Sequence, residues 1–246
     1  MKKEDVIKQI TTPLDAGAYP LPPYRFYNRE YLNIVYKTDM ESLRKIVPEP
    51  LEVTTPYVKF EIMKMPDVSG LGSYTECGQI IPVELNGEQG EYLHSMYVDS
   101  FPAIASGREI SGYPKKLGKP NLYVDSDVLV GTLDYGTLRV ATATMGYKHF
   151  PMSQAEALAE ITKPTFMLKK IPGYNGAPLV CQLVRTEITD VEIKGAWMGP
   201  ARLELFAHVL APMKDLPVLE IVSASHIVTE LSLSGASVVY DYLEEE

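Results

Sequence analysis

Hydrophobic residues recur at every second position through most of this chain, and this period decides which folds it can adopt. In one such run, Leu32, Ile34 and Tyr36 would share one face of a strand, because successive side chains of a strand point to opposite faces. The clearest runs are residues 31–38, 58–63, 129–133, 138–144, 179–193, 202–209 and 238–242. The residues between 133 and 138 predict the turn of a β-hairpin.

Helix signals are few and short. Thr38 and Glu41 match a capping box, in which the Thr38 hydroxyl accepts a hydrogen bond from the Glu41 amide, so a helix is predicted to follow. Ser153 and Glu156 predict a second short helix in the same way. With many strands and no regular alternation of strands with helices, the fold class is predicted to be mainly β (α+β). We expect an antiparallel β-barrel or a strongly curved sheet with a few short helices.

The chain shows no boundary between domains. It has no internal repeat and no Gly/Ser-rich linker, so residues 1–246 are predicted to form a single domain. Residues 1–23 end in a segment that contains Pro20, Pro22 and Pro23. Proline fixes φ and removes a backbone donor, so residues 1–23 are predicted to be an extended N-terminal arm.

Charge and cysteine content exclude several classes of function. The formal net charge of −9 argues against a nucleic-acid partner, which would require a dense cationic face. No run of about 18 apolar residues is present, so no membrane span is expected, and the first residues do not resemble a signal peptide. Cys77 and Cys181 are too few for a disulfide scaffold. We therefore expect a soluble, cytoplasmic protein.

The histidines and glycine-rich segments carry no recognisable cofactor or metal pattern. Gly70 and Gly72 resemble part of a dinucleotide-binding loop, but the third glycine and the following helix are missing. None of the four histidines belongs to a His-x-x-x-His pair, and there is no Cys-x-x-Cys pair. The sequence therefore predicts neither a cofactor nor a metal.

The most unusual local sequence places Lys115 and Lys116 side by side between Pro114 and Leu117. A solvated basic turn is the simpler interpretation. The alternative is a reactive amine: a free lysine has a pKa of about 10.4 and is almost wholly protonated at neutral pH, but burial can lower a lysine pKa by up to about 3–5 units. A neutral amine attacks a ketone and forms a Schiff base.

Six segments of the chain together resemble the acetoacetate decarboxylase family. They are residues 28–31, 47–51, 60–63, 74–76, 112–118 and 140–148. The resemblance extends over essentially the whole length and is more specific than any single motif. It implies that Lys115 forms the Schiff base, that Lys116 is the neighbouring cation, and that Arg29, Glu61 and Glu76 line the substrate pocket.

The resemblance also implies an activity and an assembly. The activity is decarboxylation of acetoacetate, a small keto acid, to acetone and CO₂ through an iminium and an enamine, without a cofactor. Lys115, Glu76 and Lys116 would be catalytic, whereas Arg29 would bind the substrate carboxylate and Glu61 would partly neutralise Arg29. The implied assembly is a large homo-oligomer of dodecamer type, built from cone-like antiparallel barrels. Two alternatives remain: a Schiff-base aldolase or dehydratase acting on other keto acids, and a non-enzymatic β-barrel that binds a small ligand.

Backbone geometry predicts how the two lysines are oriented. Pro114 favours an extended conformation at Tyr113, and in an extended chain Lys115 and Lys116 point to opposite faces. We therefore expect burial, more than repulsion by Lys116, to keep the Lys115 amine neutral.

Overall fold

Strands dominate the computed structural model of the protein, which describes residues 1–244. In chain order the strands are β1 Tyr24–Lys37, β2 Glu52–Val53, β3 Tyr57–Met65, β4 Asp67–Val68, β5 Tyr74–Leu85, β6 Glu88–Val98, β7 Lys115–Leu117, β8 Lys119–Asp125, β9 Val128–Tyr135, β10 Leu138–Gly146, β11 Phe150–Pro151, β12 Thr165–Pro172, β13 Pro178–Thr186, β14 Ile188–Met198, β15 Ala201–Leu205, β16 Glu220–Leu233 and β17 Ser237–Asp241. The helices are α1 Lys3–Lys8, α2 Met40–Ile46, α3 Phe101–Ser106, α4 Gln154–Ile161, a π-helix at Gly107–Ser111 and a 3₁₀ turn at Met213–Asp215. The prediction of a mainly β fold with a few short helices is confirmed. Among the described residues, no helix is long and apolar enough to cross a membrane.

The strands form two sheets. The larger sheet has the order β11-β14-β16-β1-β3-β5-β6-β12-β13-β17, and β2, β4 and β7 pair with strands of this series. The smaller sheet has the order β15-β10-β9-β8. Neighbouring strands are antiparallel, as predicted, except that β6 pairs in parallel with β7 and β12.

Neither sheet closes on itself within residues 1–244. The larger sheet ends at β11 and at β17, and no pairing joins these two short strands. The predicted barrel or strongly curved sheet is therefore not confirmed. The physical reason is that period-two patterning tells which side chains face inward, whereas closure depends on the tilt and stagger of the strands.

Strand β1 shows that the larger sheet is covered on both faces. Leu32, Ile34 and Tyr36 point into a core that is shared with the smaller sheet, where Leu133 also lies. Tyr31 points to the opposite face, into a second core that includes residues of α3 and α4. Polar side chains that alternate with Leu32, Ile34 and Tyr36 are therefore enclosed by protein rather than exposed to solvent.

The two predicted helix starts have different outcomes. At α4 the capping box is present: Ser153 Oγ accepts from the Glu156 amide at 3.2 Å, and Glu156 Oε2 accepts from the Ser153 amide at 3.0 Å. At α2 the cap is Asp39, whose carboxylate accepts from the Ser42 amide at 2.7 Å. The prediction of Thr38 as the cap is wrong; its hydroxyl is buried without a hydrogen-bond partner. The negative charge of an aspartate is favoured at a helix N-terminus.

The N-terminal arm differs from the prediction at its start. Residues Lys3–Lys8 form α1, in which the Lys2 amide donates to the Asp5 carboxylate at 3.2 Å. Residues 9–23 contain no helix or strand. The prolines that predicted an extended arm begin only at Pro20, so they do not oppose a helix at residues 3–8.

Two strand predictions are refined by the pairing. The hairpin is confirmed, because β9 and β10 pair with Tyr135 opposite Leu138. The long run at 179–193 is two strands, β13 and β14, which are separated at Glu187. Alternation continues across that break, so the sequence pattern does not reveal it.

Candidate active site

A cavity of about 80 Å³ lies on the face of the larger sheet that α3 and α4 cover. Strands β1, β3, β5, β6 and β7 supply its charged lining. These side chains are Arg29, Lys59, Glu61, Glu76, Glu91 and Lys115, and all six are buried. Since a water-sized group needs at least about 10–15 Å³, the cavity has room for about five to eight non-hydrogen atoms.

Strand register brings four of the five predicted site residues to this cavity, namely Arg29, Glu61, Glu76 and Lys115. Glu61 of β3 lies opposite Gly78 of β5, and Gly78 lies opposite Met96 of β6. Met96 in turn pairs with Lys115 of β7. One transverse row of the sheet therefore runs from Glu61 to Lys115, although the two residues are far apart in the sequence.

The backbone before β7 places the Lys115 side chain. The π-helix Gly107–Ser111 ends at Gly112, whose φ of 82° is in the left-handed region that glycine adopts without strain. The Lys115 amide then donates to the Tyr113 carbonyl oxygen at 2.8 Å. Gly107 packs against the lysine, and a Cβ atom there would come within 2.8 Å of Lys115 Cδ. The lysine therefore lies along a surface that only glycine leaves open.

Two tyrosine rings and one carboxylate surround the Lys115 amine. Its Nζ lies 5.5 Å from the centroid of Tyr74 and 5.1 Å from that of Tyr113. Burial raises the pKa of both phenols above the ordinary value, so both remain neutral at neutral pH. The Oε2 atom of Glu76 forms an ion pair with Lys115 Nζ at 3.1 Å. Glu76 is therefore placed to exchange a proton with the amine.

The guanidinium of Arg29 is stacked on aromatic rings. Its Cζ lies 5.0 Å from the centroid of Phe26 and 4.7 Å from that of Tyr31. Burial opposes the charged form, but the surrounding acidic groups, Tyr31 and Glu76 first among them, together outweigh burial and raise the Arg29 pKa, so the group stays cationic. Its Nη2 lies 4.0 Å from Glu76 Oε1, and its Nε is buried without a hydrogen-bond partner. A buried cation with an unused donor is suited to binding a carboxylate.

Glu61 lies nearer to Lys59 than to the expected partner. Within the described part of the chain, the only cation within 4.0 Å of the Glu61 carboxyl is Lys59, and Arg29 instead approaches Glu76. Burial raises the pKa of Glu61 to about 7, although Lys59 and Arg29 act against this shift. Lys59 makes a closer ion pair with Glu91, at 2.7 Å.

Lys59 and Glu91 line the same cavity but were missed by sequence reasoning. The signal for Lys59 was available, because it alternates with Glu61 in β3 and so shares its face. Glu91 had no such signal, because it comes from β6 and is brought near by sheet pairing.

The structure separates Lys116 from the other predicted residues. Its side chain is exposed, and its Nζ donates to the Leu210 carbonyl oxygen and lies 5.3 Å from the Tyr135 ring centroid. Lys115 is buried on the other face of β7. This is the orientation that an extended backbone at these two positions predicts.

The histidines lie apart from the cavity, since none of the four is among its lining residues. His226 is buried beside Tyr147 and Trp197, and its Nε2 lies 2.8 Å from Glu30 Oε1. Across residues 1–244, no group of three or more His, Cys, Asp or Glu side chains is arranged to hold a metal ion.

Comparison with known proteins agrees with this geometry. The sequence profile described as Acetoacetate decarboxylase (ADC) matches residues 10–243. The chain belongs to the acetoacetate decarboxylase family. It is 66% identical to the acetoacetate decarboxylase of Clostridium beijerinckii over 99% of each chain. It is 64% identical to that of Streptomyces nogalater over 99% of this chain and 100% of the relative.

Solved structures of the family show the same fold. A structure from a study of acetoacetate decarboxylase superposes on this chain with a TM-score of 0.97 and 62% identity, and covers 99% of this chain and 100% of that one. The resemblance inferred from the six sequence segments is confirmed. The assignment to the carboxy-lyase class of enzymes is confirmed with it.

Proposed function

We propose that the protein decarboxylates acetoacetate to acetone and CO₂, and that Lys115 forms a Schiff base with the substrate. One observation carries this proposal: a buried lysine amine projects into a small cavity, 3.1 Å from the Glu76 carboxylate and beside the unused Arg29 donor. The names of the relatives support acetoacetate as the substrate.

The first step needs a neutral amine. Glu76 accepts the proton of the Lys115 ammonium, which lies within direct transfer distance. The neutral amine then attacks the C3 ketone of acetoacetate, and water leaves to give an iminium. The positively charged nitrogen of the iminium is a better electron sink than the ketone for the carbanion that decarboxylation leaves.

Arg29 orients the substrate carboxylate through its unused donor. Departure of CO₂ removes the charge from this group, so tight binding of the carboxylate alone would oppose the step. Glu76 lies 4.0 Å from the Arg29 guanidinium and partly neutralises its positive charge. Arg29 therefore binds the substrate carboxylate less tightly. Loss of CO₂ leaves an enamine, and its protonation and hydrolysis release acetone and restore the lysine.

The apolar part of the cavity limits the size of the substrate. Its walls include Met63, Ile80, Leu93 and Met96. A cavity of this volume accepts a molecule of roughly seven non-hydrogen atoms, the size of acetoacetate. Longer keto acids would have to displace these side chains.

Borohydride trapping tests the proposal. The protein is incubated with acetoacetate, reduced, digested and mapped by mass spectrometry, with a sample lacking substrate as the control. We expect an isopropyl adduct on Lys115, and Lys116→Met should retain it. An adduct on another lysine would reject Lys115 as the nucleophile. Absence of both adduct and CO₂ would reject the enzyme and favour a ligand-binding protein, and product analysis separates decarboxylation from aldol or dehydration chemistry on other keto acids.

We further propose that the chain forms a large homo-oligomer of dodecamer type and works in the cytoplasm. Large apolar side chains on the surface favour self-association; examples are Leu179, Val209, Leu219 and Val238. The free thiols of Cys77 and Cys181 suit a reducing compartment. Sedimentation velocity tests the assembly, and a monomeric species at micromolar concentration would contradict it.

A further inference from the structure

The mechanism above leaves one group of charges in the cavity without a role. Lys59, Glu61 and Glu91 line the part of the cavity formed by β3 and β6. Lys59 Nζ lies 2.7 Å from Glu91 Oε2 but 4.0 Å from Glu61 Oε2. The charges of Lys59 and Glu91 therefore largely cancel each other, and Lys59 stabilises the ionised Glu61 carboxyl only weakly.

The surroundings of Glu61 favour its protonated form. The carboxyl is buried and accepts no side-chain hydrogen bond from the described residues, and burial raises its pKa to about 7. The charged and titratable groups around it are Arg29 and Tyr31 of β1, Lys59 of β3, Glu76 and Cys77 of β5, Glu91 of β6 and Glu160 of α4, which accepts a hydrogen bond from Asn33 opposite Glu61. Transfer of the Lys115 proton to Glu76 removes one positive and one negative charge, so it leaves the net charge around Glu61 unchanged. Binding an anionic keto acid adds negative charge and favours a protonated Glu61 further.

We infer that Glu61 is the acid that returns a proton to the enamine, and that the buried Lys59–Glu91 pair is the positioning pair that holds it. The inference rests on the proposed function, because the enamine exists only if Lys115 forms the imine. Decarboxylation consumes one proton, since CO₂ leaves without one and the enamine carbon gains one. The Glu61 O–H bond breaks, a C–H bond forms at the carbon that lost CO₂, and the products are the acetone iminium and the Glu61 carboxylate.

The same end of the cavity offers a connection to solvent for the next turnover. Lys163 is about half exposed, and its Nζ lies 3.8 Å from Glu91 Oε1. The charged groups therefore continue from the surface at Lys163, through Glu91 and Lys59, to Glu61. A proton from water at this end restores the Glu61 carboxyl.

Glu76 is less suited to this role. It touches the Lys115 amine, so its proton transfers take place at the nitrogen end of the substrate. Two carboxyls in one site with different surroundings commonly divide the acid and base roles between them. Here Glu76 exchanges protons with the amine nitrogen, and Glu61 donates a proton to the enamine carbon.

Exchange of acetone hydrogens with D₂O isolates the proposed step. By microscopic reversibility the enzyme converts acetone into the iminium and the enamine, and the group that protonates the enamine also removes the proton. Acetone has no carboxylate, so binding of that group does not enter the measurement. The exchange is followed by proton NMR, and the acetone imine on Lys115 is measured in parallel by borohydride trapping.

Glu61→Gln and Glu76→Gln form a matched pair for this assay. We expect Glu61→Gln to form the trapped adduct and to lose exchange by about 10²–10⁴-fold, the usual contribution of a general acid–base group. Glu76→Gln should slow formation of the adduct itself. Exchange at the wild-type rate in Glu61→Gln, with the adduct present, would overturn the inference and leave the proposed function intact. Absence of any adduct in the wild-type protein would overturn the proposed function.

The positioning pair has a test of its own, which does not depend on the Glu61 variant. Lys59→Met removes the cation nearest to Glu61, so the pH at which exchange rises should increase by about 1–3 units. The double variant Lys59→Met/Glu91→Leu removes both charges. In this variant the exchange rate should rise at a pH close to that of the wild type. A lower rate with an unchanged pH profile in both variants would show a merely structural role and would overturn the assignment.

Discussion

Replacing Gly107 by alanine tests whether the π-helix before β7 positions Lys115, the proposed Schiff-base lysine. A Cβ atom at this position would lie 2.8 Å from Lys115 Cδ, 3.0 Å from Cε and 3.4 Å from Nζ. Carbon atoms in contact are normally about 3.5–4.0 Å apart, so the lysine stem must move by roughly 1 Å. A displacement of about 1 Å at a reacting group can reduce the rate by ~10²-fold.

Stability should change much less than activity. The backbone at Gly107 is right-handed helical, with φ −60° and ψ −44°, so alanine fits it without strain. The gain in helix propensity is about 0.5–1 kcal/mol, which partly offsets an overpacking cost of about 1–3 kcal/mol. We therefore expect a small decrease in Tm together with a fall of about 10²-fold in kcat.

The assay compares kcat for decarboxylation, the rate of borohydride trapping with acetone, and Tm. Gly235→Ala is the matched control, because a Cβ atom at Gly235 meets no atom within 4 Å and its φ is not in the left-handed region. The control should leave all three quantities unchanged. A Gly107→Ala protein with wild-type kcat and wild-type trapping would refute the argument that glycine is needed to place Lys115.

Three further predictions concern charged residues. Glu76→Gln should reduce kcat by about 10²–10⁴-fold and change KM much less, because the proposed role of Glu76 is to exchange protons with the Lys115 amine at 3.1 Å, whereas it lies 4.0 Å from Arg29; a near-normal kcat would exclude this role. Lys116→Met should leave the pH dependence of Lys115 trapping nearly unchanged, because Lys116 lies on the exposed face of β7, whereas a change of several pH units would show that repulsion is dominant. Glu61 holds its proton more tightly in the folded protein, with a pKa of about 7, than in the unfolded chain, so the stability that this proton contributes is complete below the unfolded pKa and is lost as pH rises towards 7. The free energy of urea unfolding of Glu61→Gln, relative to that of the wild type, should therefore be roughly 2.5 kcal/mol higher at pH 8 than at pH 5. An unchanged difference between the two proteins would contradict the burial argument.

Local sequence patterns predicted much of the fold because their causes are local. The alternation of Leu32, Ile34 and Tyr36 follows from strand geometry, and the structure buries all three on one face. The cap at Ser153 depends only on residues within one turn of helix. The cap at α2 was misassigned because Asp39 and Thr38 are both good caps, and sequence spacing alone favoured the wrong one.

The site was predicted in part. The opposite orientations of Lys115 and Lys116 follow from the extended backbone after Pro114, so the sequence was sufficient for them. The partner of Arg29 was not predictable in this way. It is Glu76 rather than Glu61, because the register of β1, β3 and β5 and the direction of each long side chain decide which groups come within 4.0 Å.

The sequence by itself determined the strand content, the faces of the strands and the family of the protein. Only the tertiary structure decided that β1 and β3 are covered on both faces, and that Lys59 and Glu91 therefore join the buried site as an ion pair. The physical reason is that a charge on a strand is ordinarily stable in water. Whether it is buried, and with which partner, depends on elements that are distant in the chain and pack over that face.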